Sequence, residues 1–167
     1  MRRAVLEGRI GRPLDAPGGA RLWFRMPHVV PPAAQTPIDI TDDRARLDVT
    51  RILALYEDTW WAKGRSVESV RRAIDHSHPV VTAWEAGALV GFARVISDLT
   101  FRATIWDVIV RPSHQGRGIG LAMMRFVLDH PDLRSVSHFL LLTADKHGFY
   151  ERLGFTTERE MTMMLRR

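Results

Sequence analysis

The stretch Asp107–Leu128 constrains the fold more than any other part of the chain. The β-branched run Val108-Ile109-Val110 reads as a buried strand that stops at Arg111-Pro112, where proline removes a donor. Gln115-Gly-Arg-Gly-Ile-Gly120 then leads directly into a helical pattern, with Ile119, Ala122, Met123, Phe126 and Val127 on a wide apolar face. A strand that enters a helix through glycines gathers free backbone N–H groups at the positive end of a helix dipole, which is an anion site. Glycine leaves no Cβ between backbone and ligand. Arg117, and Arg111 beside it, offer phosphate-pairing charge. A turn that serves packing alone accounts poorly for alternating Gly116, Gly118 and Gly120. A Walker loop would continue with Lys-Ser/Thr after its last glycine, and a dinucleotide fingerprint would place its third glycine at 121. Leu121 stands at both points.

The rest of the chain supplies elements on either side. Ile38–Ile40 reads as a short strand, and Leu47–Trp61 as a helix with Asp42, Asp43 and Asp48 near its start. Ser66 caps a second helix to Ile74. The period then becomes that of strands at 80–84, 88–96 and 104–110, separated by the turns Glu85-Ala-Gly87 and Ser97–Thr100. After the helix of about 119–130 come a strand at 139–143, a helix near 147–153 and a strand at 161–165. The order β-α-α-β-β-β-α-β-α-β implies an α/β fold: a mixed, partly antiparallel sheet flanked by helices, with a βαβ crossover in its second half.

Residues 1–35 differ. Their five prolines and four glycines predict a mobile or loosely docked leader, with a short strand at Arg21–Met26 as the alternative. The folded domain is expected over 36–167. Most of the net charge of +5 resides in the leader, whose six arginines face Glu7 and Asp15. The body is nearly neutral, so no basic stripe points to nucleic acid. The sequence holds no cysteine, which excludes a disulfide scaffold, a thiol nucleophile and Cys-ligated zinc. No run approaches a membrane span, and Arg2-Arg3 precedes no apolar stretch of a secretory signal. A cytoplasmic location without membrane association is expected.

Two motifs together resemble the GNAT superfamily of acyl-CoA-dependent N-acetyltransferases. Gln115-Gly-Arg-Gly-Ile-Gly120 is similar to its Q/R-x-x-G-x-G/A signature. His147-Gly-Phe-Tyr-Glu-Arg-Leu-Gly-Phe155 is similar to its "LYEKLGF" ending. The resemblance spans roughly 36–165. It implies acetyl-CoA as co-substrate, with coenzyme contacts at Val108, Ile109, Val110, Gln115, Gly116, Arg117, Gly118, Ile119, Gly120, Leu121 and His147. It also implies that the strand at 108–110 splays from its neighbour and that an amide near Val108 polarises the thioester carbonyl. No metal is implied. Trp60–Arg65 and Ala144–Gly148 look like a bacterial subgroup of the superfamily.

The same resemblance makes Tyr150 the catalytic acid for the leaving thiolate. A phenol with an ordinary pKa near ~10 still carries its proton at neutral pH. Packing with a simple hydrogen bond is its alternative role. The base is not fixed. Asp107 points to the opposite face from Val108 and suits a structural hydrogen bond. His147 lies on the side of Tyr150, where cofactor contact or capping is as suitable as catalysis. Asp145 is placed to pair with it or to cap. His114 is expected to face solvent. His76 and His78 offer two nitrogens without a third ligand. Glu57, Asp58, Trp60, Trp61 and Arg65 fall where an amine acceptor would enter, although paired tryptophans are more often core. The expected acceptor is a small-molecule amine, a peptide N-terminus or a lysine; a homodimer and a silent acyl-CoA-binding module stay open.

Overall fold

In the computed structural model, residues 36–158 are described. The leader 1–35 and the strand expected at 161–165 lie outside them. The elements are β1 (Asp39–Thr41), α1 (Val49–Tyr56), α2 (Val67–Asp75), β2 (Val80–Glu85), β3 (Ala88–Ser97), β4 (Arg102–Val110), α3 (Ile119–Leu128), β5 (His138–Leu141) and α4 (His147–Glu151). The five strands form one sheet in chain order, antiparallel from β1 to β4 and parallel between β4 and β5. The parallel step follows from α3, the crossover that returns the chain to the same edge.

Local chemistry explains the boundaries. Asp48 caps α1 by accepting from the Thr50 and Arg51 N–H groups, and Ser66 caps α2 by accepting from Ser69. α1 ends at Tyr56, earlier than the expected Trp61, and turns follow it. Ala86 and Gly87, with φ of 48° and 78°, give the β2–β3 hairpin two left-handed residues that match the strand twist. In the β3–β4 turn, Asp98 Oδ1 accepts from the N–H groups of Thr100, Phe101 and Arg102, which holds its carboxyl below the ordinary range.

Two apolar layers sandwich the sheet. One packs Met123, Met124 and Val127 of α3 and Tyr150 of α4 against Val81, Ala83, Val95, Ala103 and Ile105. The other packs Ile52, Leu55 and Tyr56 of α1 and Val70 and Ile74 of α2 against Val80, Phe92 and Ile109. β4 changes allegiance midway: Ala103 and Ile105 belong to the α3 layer, Ile109 to the α1 layer. The register explains it. Arg94 opposes Trp106 and Phe92 opposes Ile109, so β4 carries one extra residue at this point. Asp107, at φ 54°, sits in that bulge. An extra residue exchanges the faces of everything beyond it.

Candidate active site

β5 ends at Leu141 opposite Ile105, whereas β4 runs on to Val110. Trp106–Val110 therefore has β3 on one side and, among the described residues, no strand on the other. The Arg111 N–H donates to the Val90 carbonyl at 2.8 Å. By backbone alternation the peptide groups of Val110 and Val108 turn the other way, into the gap. An extended ligand arm entering there meets a strand edge with which to pair. Gln115 closes the mouth of this edge, its Nε2 donating to the Val110 carbonyl at 3.0 Å.

Beyond Val110 comes the glycine loop. Gly116 and Gly118 have φ of 77° and 81°, a region that disfavours any Cβ. Gly118 is the N-cap of α3 and supplies no side chain to the first turn, so the N–H groups there face outward. Gly120 differs, because a Cβ there would meet Phe149 and Val110 at 3.5 and 3.6 Å, ordinary contact distances. Ile119 is buried under the loop, and Leu121 follows in the first turn of α3.

The side chains around the loop correct one expectation and place another. The Arg117 guanidinium grips Glu85 of β2, with Nη1 3.1 Å from Oε2 and Nη2 2.5 Å from Oε1. His114 does not face solvent. Its Nε2 lies 2.9 Å from Glu85 Oε2, and the side chain is 19% exposed. Arg117 and the His114 ring converge on one carboxylate: the Arg117 hydrogen bonds and then its charge, with His114 behind, hold Glu85 below the ordinary glutamate value. The clasp ties the loop to the β2–β3 hairpin.

On the opposite face of β4, Asp107 is the hub. Its Oδ2 accepts from Arg94 Nε at 2.6 Å, Tyr56 OH at 2.8 Å and Arg65 Nη1 at 3.1 Å. The side chains of Asp107 and Arg94 are 2% and 10% exposed. Arg94 also donates to Ser77 Oγ. Burial, and then the Asp107 charge beside it, push the Tyr56 phenol far above its ordinary value, so it donates and does not ionise. With three donors on one oxygen, Asp107 serves as a structural anchor one residue before the Val108 amide.

Tyr150 stands in α4, largely buried, with its ring edge-on to Phe149 and Phe155. It lines a cavity of about 260 Å³ beside β5 together with His147. Burial first, then the Asp145 charge, raise its pKa, which keeps the phenol protonated. His147 opens α4, and Lys146 lies 2.6 Å from Asp145. Asp145, expected to cap the helix or to pair with His147, pairs instead with the adjacent lysine, and among the described residues α4 has no side-chain cap. A larger groove of about 580 Å³, lined by residues 45–51, Val67, Arg71 and Trp84, contains none of the loop residues.

The tryptophans do not behave as core: Trp60 is 84% and Trp61 40% exposed. Trp61 stands near Tyr56, and the Arg65 guanidinium lies over both rings. Glu57 accepts from the Gly64 N–H, and Asp58 reaches Arg111 at 3.8 Å.

Residues 48–155 match the family described as Acetyltransferase (GNAT) family. The chain belongs to the GNAT family. A Xanthomonas campestris pv. campestris structure assigned to it is 40% identical, with a TM-score of 0.72, over 80% of this chain and 95% of that one. The uncharacterized N-acetyltransferase ycf52 of Gracilaria tenuistipitata var. liui is 34% identical over 62% of this chain and 59% of its own length. Serotonin N-acetyltransferase 2, chloroplastic, of Oryza sativa subsp. japonica is 38% identical over 56% of this chain and half of its own length.

In this GNAT domain, sequence reading missed Glu85 and Arg94. For Arg94 a signal existed. An arginine inside the apolar run Phe92–Ile96 demands a buried partner, and Asp107 is the acid in the next apolar run. Glu85, at a hairpin that reads as solvated, carries no such mark.

Proposed function

We propose that this chain is an enzyme that transfers the acetyl group of acetyl-CoA directly to a primary amine. The observation that carries this reading is the run Trp106–Val110 of β4, which among the described residues has a strand on one side only and opens onto the left-handed glycines at the start of α3. The gap fits a pantetheine arm, and the loop amides fit a pyrophosphate. Bound there, acetyl-CoA supplies the thioester that reacts.

The chain's own groups then have distinct tasks. The Val108 amide donates to the carbonyl oxygen as negative charge develops on it. The amine nitrogen forms the new C–N bond as the C–S bond breaks, and the Tyr150 hydroxyl gives its proton to the departing sulfur. The proton released by the amine passes to water. Gln115, Gly116, Gly118, Ile119, Gly120 and Leu121 hold the coenzyme through the loop backbone. Val110 and Ile109 extend the edge, and His147 flanks Tyr150. Arg117 orders the loop through Glu85.

The acceptor enters from the face of Tyr56, Trp61 and Arg65. The name of the rice relative and the aromatic rings on this face together put small arylalkylamines first among acceptors. No helix among the described residues is long and apolar enough to cross a membrane; we place the enzyme in the cytoplasm.

The test is thiol release from acetyl-CoA over a panel of serotonin, polyamines, aminoglycosides, amino acids and peptide N-termini. Coenzyme binding without turnover on any amine would support a silent acyl-CoA module instead. With an active acceptor, Tyr150→Phe should lower kcat by about 10²–10⁴-fold, roughly 2.7–5.4 kcal/mol, while acetyl-CoA affinity stays near wild type. An unchanged kcat at saturating acetyl-CoA removes Tyr150 from the chemistry.

A further inference from the structure

At the end of α3 remote from the glycine loop, three chain segments bring two histidines and two aspartates together. His78 precedes β2, His130 follows α3 as the cap of the turn Pro131–Leu133, and Asp132 lies within that turn. Asp42 follows β1. Ligand atoms of His78, His130 and Asp132 all lie within 4.8 Å of one another. We infer that His78, His130 and Asp132 form a binding site for a divalent transition-metal ion of the zinc type, with Asp42 as the carboxylate that orients His130.

The hydrogen bonds already present sort the ring nitrogens. His130 is 4% exposed, and its Nε2 lies 2.9 Å from Asp42 Oδ2. Its Nδ1 accepts from the Asp132 N–H at 3.2 Å. An acceptor at Nδ1 and a carboxylate at Nε2 fix the tautomer with the proton on Nε2 and the lone pair on Nδ1. Metal-bound histidines have this arrangement: the non-ligating N–H goes to a carboxylate, and the other nitrogen faces the ion. The Nδ1 lone pair faces the Asp132 backbone N–H, and the Oδ2 of the same residue lies 2.7 Å from His78 Nε2.

Size and charge agree. In a tetrahedral shell with ligands about 2.0–2.2 Å from zinc, ligand atoms lie roughly 3.3–3.6 Å apart, so atoms now within 4.8 Å of one another close by about an ångström while the 2.7 Å His78–Asp132 contact opens. The half-exposed side chains of His78 and Asp132 can make that shift. Two neutral imidazoles, one carboxylate and a water complete a four-coordinate shell, and the Asp42 charge balances what remains on the ion. The backbone holds two of the ligands in place: the His78 N–H donates to Val95 O at 2.8 Å, and the His130 N–H to Val127 O at 3.2 Å. An ion at Nδ1 takes the place of the Asp132 N–H, and that 3.2 Å contact is lost on binding. His76, which the sequence pairs with His78, is not in the cluster; the fold replaces it with ligands from the far end of α3.

The test uses the full chain, stripped with a chelator and titrated calorimetrically with Zn²⁺, alongside the melting temperature with and without Zn²⁺. One equivalent should bind in the micromolar range or tighter and raise the melting temperature. His78→Ala and Asp132→Asn, both at half-exposed side chains, should each weaken binding at least about tenfold, and Asp42→Asn by about 10–100-fold. His76→Ala should bind as wild type does. No saturable binding in the micromolar range, or an affinity equal in His78→Ala and wild type, overturns the site.

Discussion

Asp107 should be the costliest single residue to remove from the face opposite the coenzyme. Truncation to alanine leaves Arg94 charged in a buried site and the Tyr56 hydroxyl without an acceptor. Breaking a buried ion pair from one side costs about 3–5 kcal/mol. The orphaned phenol adds about 1–3 kcal/mol in isolation, though not fully additively. Arg65, with a side chain 35% exposed, adds little. Asp107→Ala should therefore lose about 4–6 kcal/mol, a large share of the roughly 5–15 kcal/mol that holds a domain of this kind together. Asp107→Asn keeps an acceptor and tolerates the left-handed backbone, so about 2–3 kcal/mol is expected. Urea denaturation followed by tryptophan fluorescence measures both. Combining Asp107→Asn with Arg94→Met removes the charge from both sides, and the double variant should recover about 1–3 kcal/mol relative to the sum of the singles. Because the bulge aims the Val108 amide, Asp107→Asn should also lower kcat while acetyl-CoA affinity changes only a few-fold. Additivity within about 0.5 kcal/mol, or an alanine variant within about 1 kcal/mol of wild type, would refute the idea that this network holds the bulge.

The glycines of the loop should separate by role. Gly118→Val should cost about 1–2 kcal/mol in chemical denaturation and weaken acetyl-CoA binding, with Gly118→Asn milder, because φ there is 81°. Gly120→Ala, which has room for a methyl, should leave stability equal or improved by about 0.5–1 kcal/mol, and any loss would then appear only in coenzyme affinity by calorimetry. Glu85 sets a pH dependence. Its carboxyl lies below its ordinary value of 4.5, so its contribution is complete above that value and is lost as the pH falls through the lower folded one. In melting curves taken at descending pH, Glu85→Gln should flatten that acid-side decline. A variant that declines just as steeply as wild type would remove the clasp from the account.

What the sequence disclosed divides along the range of the interactions. Helix and strand positions were legible because periodicity, the Asp48 and Ser66 caps and the Ala86-Gly87 turn are all decided within a few residues. The glycine loop was legible for the same reason, since two left-handed backbones must be glycine or nearly so. The bulge was not. Thr104–Val110 is apolar except for Thr104 and Asp107, so no local polar–apolar alternation shows where the strand changes faces, and only the pairing to β3 reveals it. The carboxylate partner of Arg117 was not legible, because Glu85 arrives from a hairpin 32 residues away. The tryptophan pair was misread for a related reason: large aromatic area predicts burial on average, while α1 stops at Tyr56 and leaves residues 60 and 61 on turns outside the core.

The same limit shows why charged residues inside apolar runs are the more reliable guides to a distant contact. A buried arginine or aspartate cannot be left unpaired, because several kcal/mol oppose it. Arg94 and Asp107 therefore predict each other across two strands even without a fold. His130 and Asp42, 88 residues apart, had no apolar run around them to raise that demand, and only the fold brings them together. The energetic penalty that makes a polar group costly to bury is thus also what makes its partner inferable. Polar groups at the half-exposed rim of the domain, where water is an adequate partner, lose that information in proportion to their exposure.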